Sequence, residues 1–524
     1  MNTIMNLYNK YIFMLVMLSV MLASCNKSSL NLNPPDKLST QSFWKSESDA
    51  DLALTGCYNF LYASGGGYST SQYQVVAWDN FSDNSYGQYN YGGGTSALSS
   101  GLSAGVFDTY NLFQSSYYVN NYEAIASVNY FLANVDKVLT GDKLKQYKGE
   151  AYFLRAFNYY WLAVLYGNVI ITTADPHTLD YTKHMAKSSR ADVLKQVEAD
   201  LDLAIAGLPD VAYSSGHAVK ATAKGYKVRA LLFEKKYAEA AALANEIITG
   251  GKFSLSTSYP GNFYKPAQNS SPEIMFSVKY QLPNLSHQDN GISVPLQRWK
   301  GELGTQDLVN EYEAADGKDT TSSAVYVKGK PFDNRDPRMR MTLFFPGDTK
   351  AQGWPFTGSY AVATPGKDSW IVGYYPVKKW LDPTLTDPDY GAKGDNDFVL
   401  LRYADILLMY AEAQNEASGP DASVYNTINL VRRRVAMPDL PAGLTQSQMR
   451  DKIRHERRVE FALEGIRYFD LRRWGIATQK LNGFVQNPLF PAVKSKYADN
   501  YDFWPIPQPE IDRNAPELLQ NPGY

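Results

Sequence analysis

The segment 77–91, AWDNFSDNSYGQYNY, places a tryptophan beside several carboxylate and amide side chains. A flat aromatic ring can stack on the apolar C–H face of a sugar, and neighbouring polar groups can bond the hydroxyls in fixed directions. The alternative is that the tryptophan anchors a long loop in the core. The candidate ligand contacts in and near this segment are Tyr73, Trp78, Asp79, Asn80 and Asp83.

Sequence patterns of enzymes are absent from the chain. It contains no H-E-x-x-H, no G-x-S-x-G and no phosphate-binding P-loop motif. Its five histidines are scattered, without the spacing of metal ligands. We therefore expect a protein with no catalytic residues and no cofactor.

An acidic segment, 382–398, is the one candidate for a metal site. Asp387, Asp389 and Asp395 are close enough in sequence to ligate calcium through their carboxylates. The EF-hand pattern does not fit, since Gly391 is misplaced and the terminal glutamate is missing. Solvated Asx turns explain the same residues. Calcium therefore stays an alternative, and no metal is assigned.

Composition excludes several classes of protein. A formal net charge of −2 and a pI of about 6.3 provide no basic field for nucleic acid. A hydrophobic fraction of 44% and a mean hydropathy of −0.36 are typical of globular chains. Two cysteines, Cys25 and Cys57, exclude a disulfide framework, and Cys57 is predicted to be a small core residue.

The apolar run at 11–25, YIFMLVMLSVMLASC, has the length of a signal-peptide core and is too short for a membrane span. It ends in Leu-Ala-Ser-Cys, which resembles a bacterial lipobox. That resemblance implies a signal peptide over 1–24 and lipid on Cys25, which would hold the mature chain on a membrane. Residues 25–42 are predicted to be an extended tether. Ordinary secretion with an incidental cysteine is the alternative.

Helical periodicity dominates the mature chain, with apolar residues recurring at i, i+3 and i+4. The segments 218–234 and 236–249 look like a tetratricopeptide hairpin with small residues at the close contacts. Irregular stretches at 63–116 and 250–396 interrupt the helices. We therefore predict a mainly α fold: a degenerate tetratricopeptide-type helical scaffold with large loop and short-strand insertions. The predicted helices are 46–62, 117–139, 143–166, 189–206, 218–234, 236–249, 397–418, 421–435 and 445–463, and the predicted strands are 273–280 and 339–345.

A basic cluster lies between Arg450 and Arg473 and could form an anion or nucleic-acid patch. Carboxylates interleave with the cations, and Glu456, Glu460 and Glu464 follow one another at i, i+4 with arginines at neighbouring helical spacings. The charges largely cancel. A structural ion-pair network is therefore predicted, and no nucleic-acid partner.

Several long strings match one family in the expected order, and together they cover essentially the whole mature chain. They resemble the SusD-like (RagB/SusD) outer-membrane lipoproteins. The strings are GEAYFLRAFNYYWLAVLYGNV (149–169), LLRYADILLMYAEAQNE (400–416), INLVRRRVAMPDLP (428–441), IRHERRVEFALEGIRYFDLRRWG (453–475) and FWPIPQPEI (503–511).

The resemblance implies a single domain over 43–524 on a tetratricopeptide-based scaffold, in the outer membrane and facing the cell exterior. Such proteins bind nutrients, usually glycans, and deliver them to a TonB-dependent SusC-like transporter. The alternative is a peptide- or protein-binding member of the same family, since the fold also serves peptide import.

The resemblance also implies where a glycan would bind: on the loop after the first helix and on the insertion near the middle of the chain. The irregular stretches 63–116 and 250–396 would then face the ligand. The second set of contacts would come from 279–304. Its candidates are Tyr280, Gln281, Asn284, Arg298 and Trp299.

Overall fold

The computed structural model describes most of the mature chain. The predicted signal peptide, Cys25 and the tether lie outside the described residues, and so does much of the two irregular stretches. The residues described are 43–62, 75–87, 112–287, 292, 296, 301–345, 374–382, 394–485 and 494–524.

Helices make up most of these residues, which confirms the predicted fold class. Each long predicted helix is present, with ends shifted by a few residues. The α-helices are α1 (Glu47–Asn59), α2 (Val75–Trp78), α3 (Leu112–Asn134), α4 (Gly141–Tyr166), α5 (Arg190–Gly207), α6 (Lys220–Phe233), α7 (Tyr237–Gly250), α8 (Gln306–Glu311), α9 (Pro337–Thr342), α10 (Tyr403–Ser418), α11 (Ala422–Arg434), α12 (Gln446–Glu460), α13 (Arg467–Arg473), α14 (Ala477–Leu481) and α15 (Gln508–Arg513).

The long helices form an array in which each packs on the next. Helices α3 to α7 pack in chain order, and α7 then packs on α10. Helices α11 and α12 both pack on α10. The α6–α7 hairpin buries its small residues, among them Ala230, Ala240 and Ala244. One contiguous cluster of buried side chains runs from Ala50 to Leu518. This confirms that distant parts of the sequence pack together; the boundaries of the single domain stay a prediction.

Two glycines allow α4 and α5 to touch backbone to backbone. A Cβ atom added at Gly207 would lie 2.6 Å from the carbonyl oxygen of Lys145, and one added at Gly149 would lie 3.0 Å from backbone atoms of Gly207 and Leu208. Real Cβ atoms essentially never approach backbone as closely as 2.6 Å, and 3.0 Å is tighter than nine in ten of their contacts. The crossing of the two helices therefore depends on the absence of a side chain at Gly207, and Gly149 leaves little room for one.

Short antiparallel strands form two small sheets in the described residues. The first has the order β1–β3–β4 and the second pairs β2 with β5. The strands are β1 (Ser85–Gly87), β2 (Ile274–Val278), β3 (Glu302–Thr305), β4 (Tyr374–Pro376) and β5 (Phe398–Arg402).

Two secondary-structure predictions were wrong. The predicted strand at 339–345 is mostly helix α9, because the Asp336 side chain accepts the Arg338 N–H at 2.9 Å and Pro337 occupies the first helical position. The predicted helix at 397–418 begins with strand β5, whose residues are all buried. A continuously apolar run of this length suits a buried strand as well as a helix.

The basic cluster confirms the predicted ion-pair network. Arg457 lies 2.8 Å from both Asp405 and Asp470, and Arg458 bonds Asp307 at 2.6 Å and Glu311 at 2.8 Å. These partners lie outside the helix that carries the arginines, so the network joins separate elements. Cys57 is a buried free thiol, as predicted.

Among the described helices, none is long and apolar enough to cross a membrane.

Candidate functional site

The structure brings the two predicted ligand segments together through the first sheet. Strand β1 pairs with β3, so that Tyr86 lies opposite Leu303. The Thr305 hydroxyl donates to the carbonyl oxygen of Asp83 at 2.7 Å, and the Asn80 amide bonds the Glu302 carboxylate. Segments more than 200 residues apart in sequence therefore form one local structure.

Trp78 lies in the core, with 2% of its surface exposed. Its indole stacks on Trp504 at a centroid distance of 5.5 Å and an angle of 10°, and its Nε1 donates to the Tyr117 hydroxyl at 3.0 Å. These contacts satisfy both the face and the polar edge of the ring. They support the alternative that Trp78 anchors the loop.

The carboxylates beside Trp78 are also buried. Asp79 accepts the Gly465 N–H and the Asn84 amide, both at 3.0 Å, and burial raises the pKa of Asp79 to about 6. Asp83 lies 2.8 Å from Arg467; burial opposes its ionisation, but Arg458 and Arg467 hold its pKa well below the ordinary value. The segment is thus fixed to the C-terminal part of the chain. Ligand contact by Trp78 and its polar neighbours stays a prediction, and their burial weighs against it.

Tyr280 forms the base of a hairpin turn over 280–287. Its ring is 2% exposed, stacks on His287 at a centroid distance of 3.9 Å and meets the ring of Tyr62 edge-on at 5.4 Å. Tyr62 ends the described residues that follow α1, so the loop after the first helix begins at this hairpin. Burial lowers the pKa of His287 to about 4, which keeps it neutral at physiological pH. Its Nε2 is 2.7 Å from the carbonyl oxygen of Asn396.

The tip of this hairpin is exposed. Gln281 and Leu285 exchange backbone hydrogen bonds of 2.6 and 2.8 Å, which close the turn. Leu282 is 44% exposed and Leu285 is 42% exposed, and Asn284 between them is exposed as well. We call Gln281, Leu282, Asn284 and Leu285 the hairpin surface. It presents two predicted amide contacts and two apolar side chains to solvent.

One buried carboxylate holds the hairpin in place. Asp397 accepts the Tyr280 N–H at 2.9 Å and pairs with Lys279 at 2.8 Å and with Lys265 at 3.1 Å. Asp395 accepts the Leu282 N–H at 3.3 Å. Because this fully buried carboxylate bonds the backbone of Tyr280 and pairs with two lysines, it holds the base of the hairpin in place. The sequence analysis placed Asp397 in the acidic segment but did not predict that Asp397 or Tyr62 contacts the hairpin, because no local pattern shows a contact across more than 100 residues.

Several predicted residues lie outside the described part of the chain: Tyr73, Arg298, Trp299, Asp387 and Asp389. Asp395 serves the hairpin, and no group of three or more potential metal ligands occurs among the described residues. Calcium binding therefore stays an alternative, and ligand contact by Tyr73, Arg298 and Trp299 stays a prediction.

Two family models match most of the chain. The model described as "SusD family" matches residues 264–524, and the model described as "Starch-binding associating with outer membrane" matches residues 30–232. The chain belongs to the SusD-like family. The recognised strings and the helical array agree with this assignment.

Curated and solved relatives extend along the whole length of this SusD-like chain. "SusD-like protein P2" of Formosa agariphila is 26% identical, with 98% of this chain and 100% of that protein covered. A SusD-like carbohydrate-binding protein from Bacteroides fragilis NCTC 9343 has a TM-score of 0.77 and 25% identity, with 90% of this chain and 99% of that one covered. A laminarin-binding SusD-like protein has a TM-score of 0.70 and 23% identity, with 92% and 100% covered, and shows a shared fold.

The family places the SusD-like chain among carbohydrate-binding proteins that associate with the outer membrane and with uptake systems there. Neither matching model describes an enzyme.

Proposed function

We propose that this SusD-like chain captures a glycan at the cell exterior and delivers it to a SusC-like TonB-dependent transporter, without catalysing a reaction. Lipid on Cys25 would hold it in the outer membrane. The observation that carries the proposal is the hairpin surface, which lies on the segment where the family resemblance places glycan contacts. Its amides are exposed, and its base is fixed by Asp397.

Exposed amides on a base that Asp397 holds in place suit sugar hydroxyls, because each amide supplies both donors and an acceptor in fixed directions. Each such hydrogen bond contributes little net free energy, since the hydroxyl exchanges water for protein. We therefore expect micromolar to millimolar affinity that increases with the length of the oligosaccharide. A monosaccharide that bound as tightly as its long oligomer would contradict an extended binding surface.

A peptide is the second candidate ligand. The observation in its favour is the exposure of Leu282 and Leu285, since apolar side chains at a surface suit apolar peptide side chains. Sugars would instead use the amides of Gln281 and Asn284. The two candidates therefore depend on different side chains of one hairpin.

Calorimetric titration of residues 26–524 against soluble oligosaccharides, polysaccharides and peptide digests tests the proposal. We expect a glycan to bind and its affinity to fall about tenfold in the double variant Gln281→Ala, Asn284→Ala. Asn245→Ala, an exposed amide on α7, is the matched control and should bind as the wild type does. A peptide that binds the wild type but not the double variant Leu282→Ala, Leu285→Ala would make a peptide, and not a glycan, the ligand of this surface. Co-purification of the lipidated chain with a transporter from outer membranes tests delivery.

A further inference from the structure

A cavity lies where the turn between α6 and α7 faces the first half of α12 and the C-terminal ends of α10 and α13. Its volume is about 190 Å³, which is enough for several water molecules. We call it the basic cleft; its walls include Lys235, Tyr237, Arg450, Arg454, Arg473 and Trp474.

Two carboxylates in the cleft are already neutralised. Glu416 accepts two hydrogen bonds of 2.6 Å from Arg450, in the forked geometry that suits a carboxylate. Glu412 bonds Arg473, at 2.6 Å for one of its contacts, and also accepts the Trp474 indole N–H at 2.9 Å. Each acid therefore bonds one arginine of the cleft directly.

The other two cations of the cleft, Lys235 and Arg454, form no ion pair with any described residue. Arg454 is half-buried, and its guanidinium lies 4.8 Å from the centroid of the Trp474 ring. Burial lowers the pKa of Arg454, and the neighbouring cations Arg450 and Arg473 lower it further, against the opposing effect of Glu412 and Glu416. Lys235 stands at φ 60° in the tight turn, so its backbone is fixed at the mouth of the cleft.

We propose that the basic cleft is a second ligand site that binds a carboxylate-bearing sugar, such as a uronic acid unit of an acidic glycan. Two cations that bond no carboxylate directly, beside a cavity of about 190 Å³, favour a compact anionic ligand. A guanidinium binds a carboxylate with two parallel hydrogen bonds, and Lys235 adds a point charge. A sugar rather than a peptide is favoured because the family binds carbohydrate. The site is separate from the hairpin surface and does not depend on ligand binding there.

Ligand-observed NMR and calorimetry on residues 26–524 with sodium D-glucuronate test this site, with D-glucose as the neutral probe. We expect glucuronate to bind at least tenfold more tightly than glucose and to weaken at high salt. Arg454→Gln and Lys235→Gln should each reduce glucuronate binding at least tenfold at unchanged thermal stability. Arg433→Gln, which removes an exposed cation paired with Asp439, is the matched control and should leave binding unchanged.

Other outcomes overturn the assignment. Equal binding of glucuronate by the wild type and by both cleft variants would exclude the site. Acetate or an acidic hexapeptide that bound more tightly than glucuronate would exclude a sugar. The Gln281→Ala, Asn284→Ala variant should bind glucuronate normally, so failure at the hairpin surface and failure at the cleft give different results.

Discussion

Arg402 and Glu460 form a fully buried ion pair in which Nη1 of the arginine lies 2.6 Å from Oε1 of the glutamate. The same guanidinium lies 2.7 Å from Glu273 and 2.7 Å from Glu464. Burial alone would raise the pKa of Glu460, but Arg434, Arg402 and Arg338 together hold it well below the ordinary value. Strand β5 is thereby joined to the residue that precedes β2 and to the end of α12.

Arg402→Met should lower the free energy of unfolding by about 3–5 kcal/mol, because it leaves buried carboxylates without their cation. Urea denaturation followed by circular dichroism measures the loss. Arg433→Met, which breaks an exposed and solvent-screened pair, is the control and should change stability far less. Equal effects of the two substitutions would contradict a central role for the buried pair.

Gly207→Ala should destabilise the protein by about 1–3 kcal/mol, since its new Cβ would force α5 away from the Lys145 carbonyl oxygen. Gly56→Ala in α1 is the matched control, because no atom lies within 4 Å of the added Cβ. There the substitution should stabilise by about 0.5–1 kcal/mol through helix propensity. Thermal unfolding of both variants measures the two changes in stability. A change of the same sign in both variants would contradict the prediction.

His217 makes stability dependent on pH. Its Nδ1 lies 2.6 Å from Oε2 of Glu150, and this hydrogen bond raises the pKa of the imidazole in the folded protein. The contribution is therefore fully present below the unfolded pKa of about 6.5 and is lost as pH rises through the folded value.

The measurement is the free energy of unfolding at several values between pH 5.5 and 8.5, for the wild type and for His217→Gln. The difference between the two should shrink as pH increases. Because half of the His217 side chain is exposed, solvent screens the interaction and the effect should be modest. A difference that stayed constant across the range would show that the imidazole does not titrate against Glu150.

Trp78→Ala separates a core residue from a ligand contact. Loss of the buried ring should cost about 3–5 kcal/mol of stability, whereas Leu285→Ala on the exposed hairpin should cost much less. Chemical denaturation gives the stability, and titration of the still-folded fraction gives the affinity. If Trp78→Ala kept its stability but lost glycan binding, Trp78 would be a direct ligand contact.

The sequence predicted the helices well, because their apolar periodicity and caps are local. The Ser189 hydroxyl, for example, accepts the Asp192 N–H at 3.2 Å and caps α5, which begins one residue later. The predicted strand at 339–345 was wrong because its β-like composition mattered less than the helix start at Asp336 and Pro337. Trp78 could not be assigned from sequence, because stacking on Trp504 joins positions more than 400 residues apart. Gln281 and Asn284 were predicted as ligand contacts only through the family resemblance, and the exposed turn that carries them was not predicted.

The buried ion pairs also constrain how the chain reaches its native state. Arg402 meets Glu273 across 129 positions, and Arg338 meets Glu460 across 122. Contacts of such long range slow folding, because loop-closure entropy is lost before the contact forms. A fragment that ends before Arg402 lacks the cation that pairs with Glu273 and the glutamates of α12. We therefore expect the core around Arg402 to form only after nearly all of the chain has been synthesised.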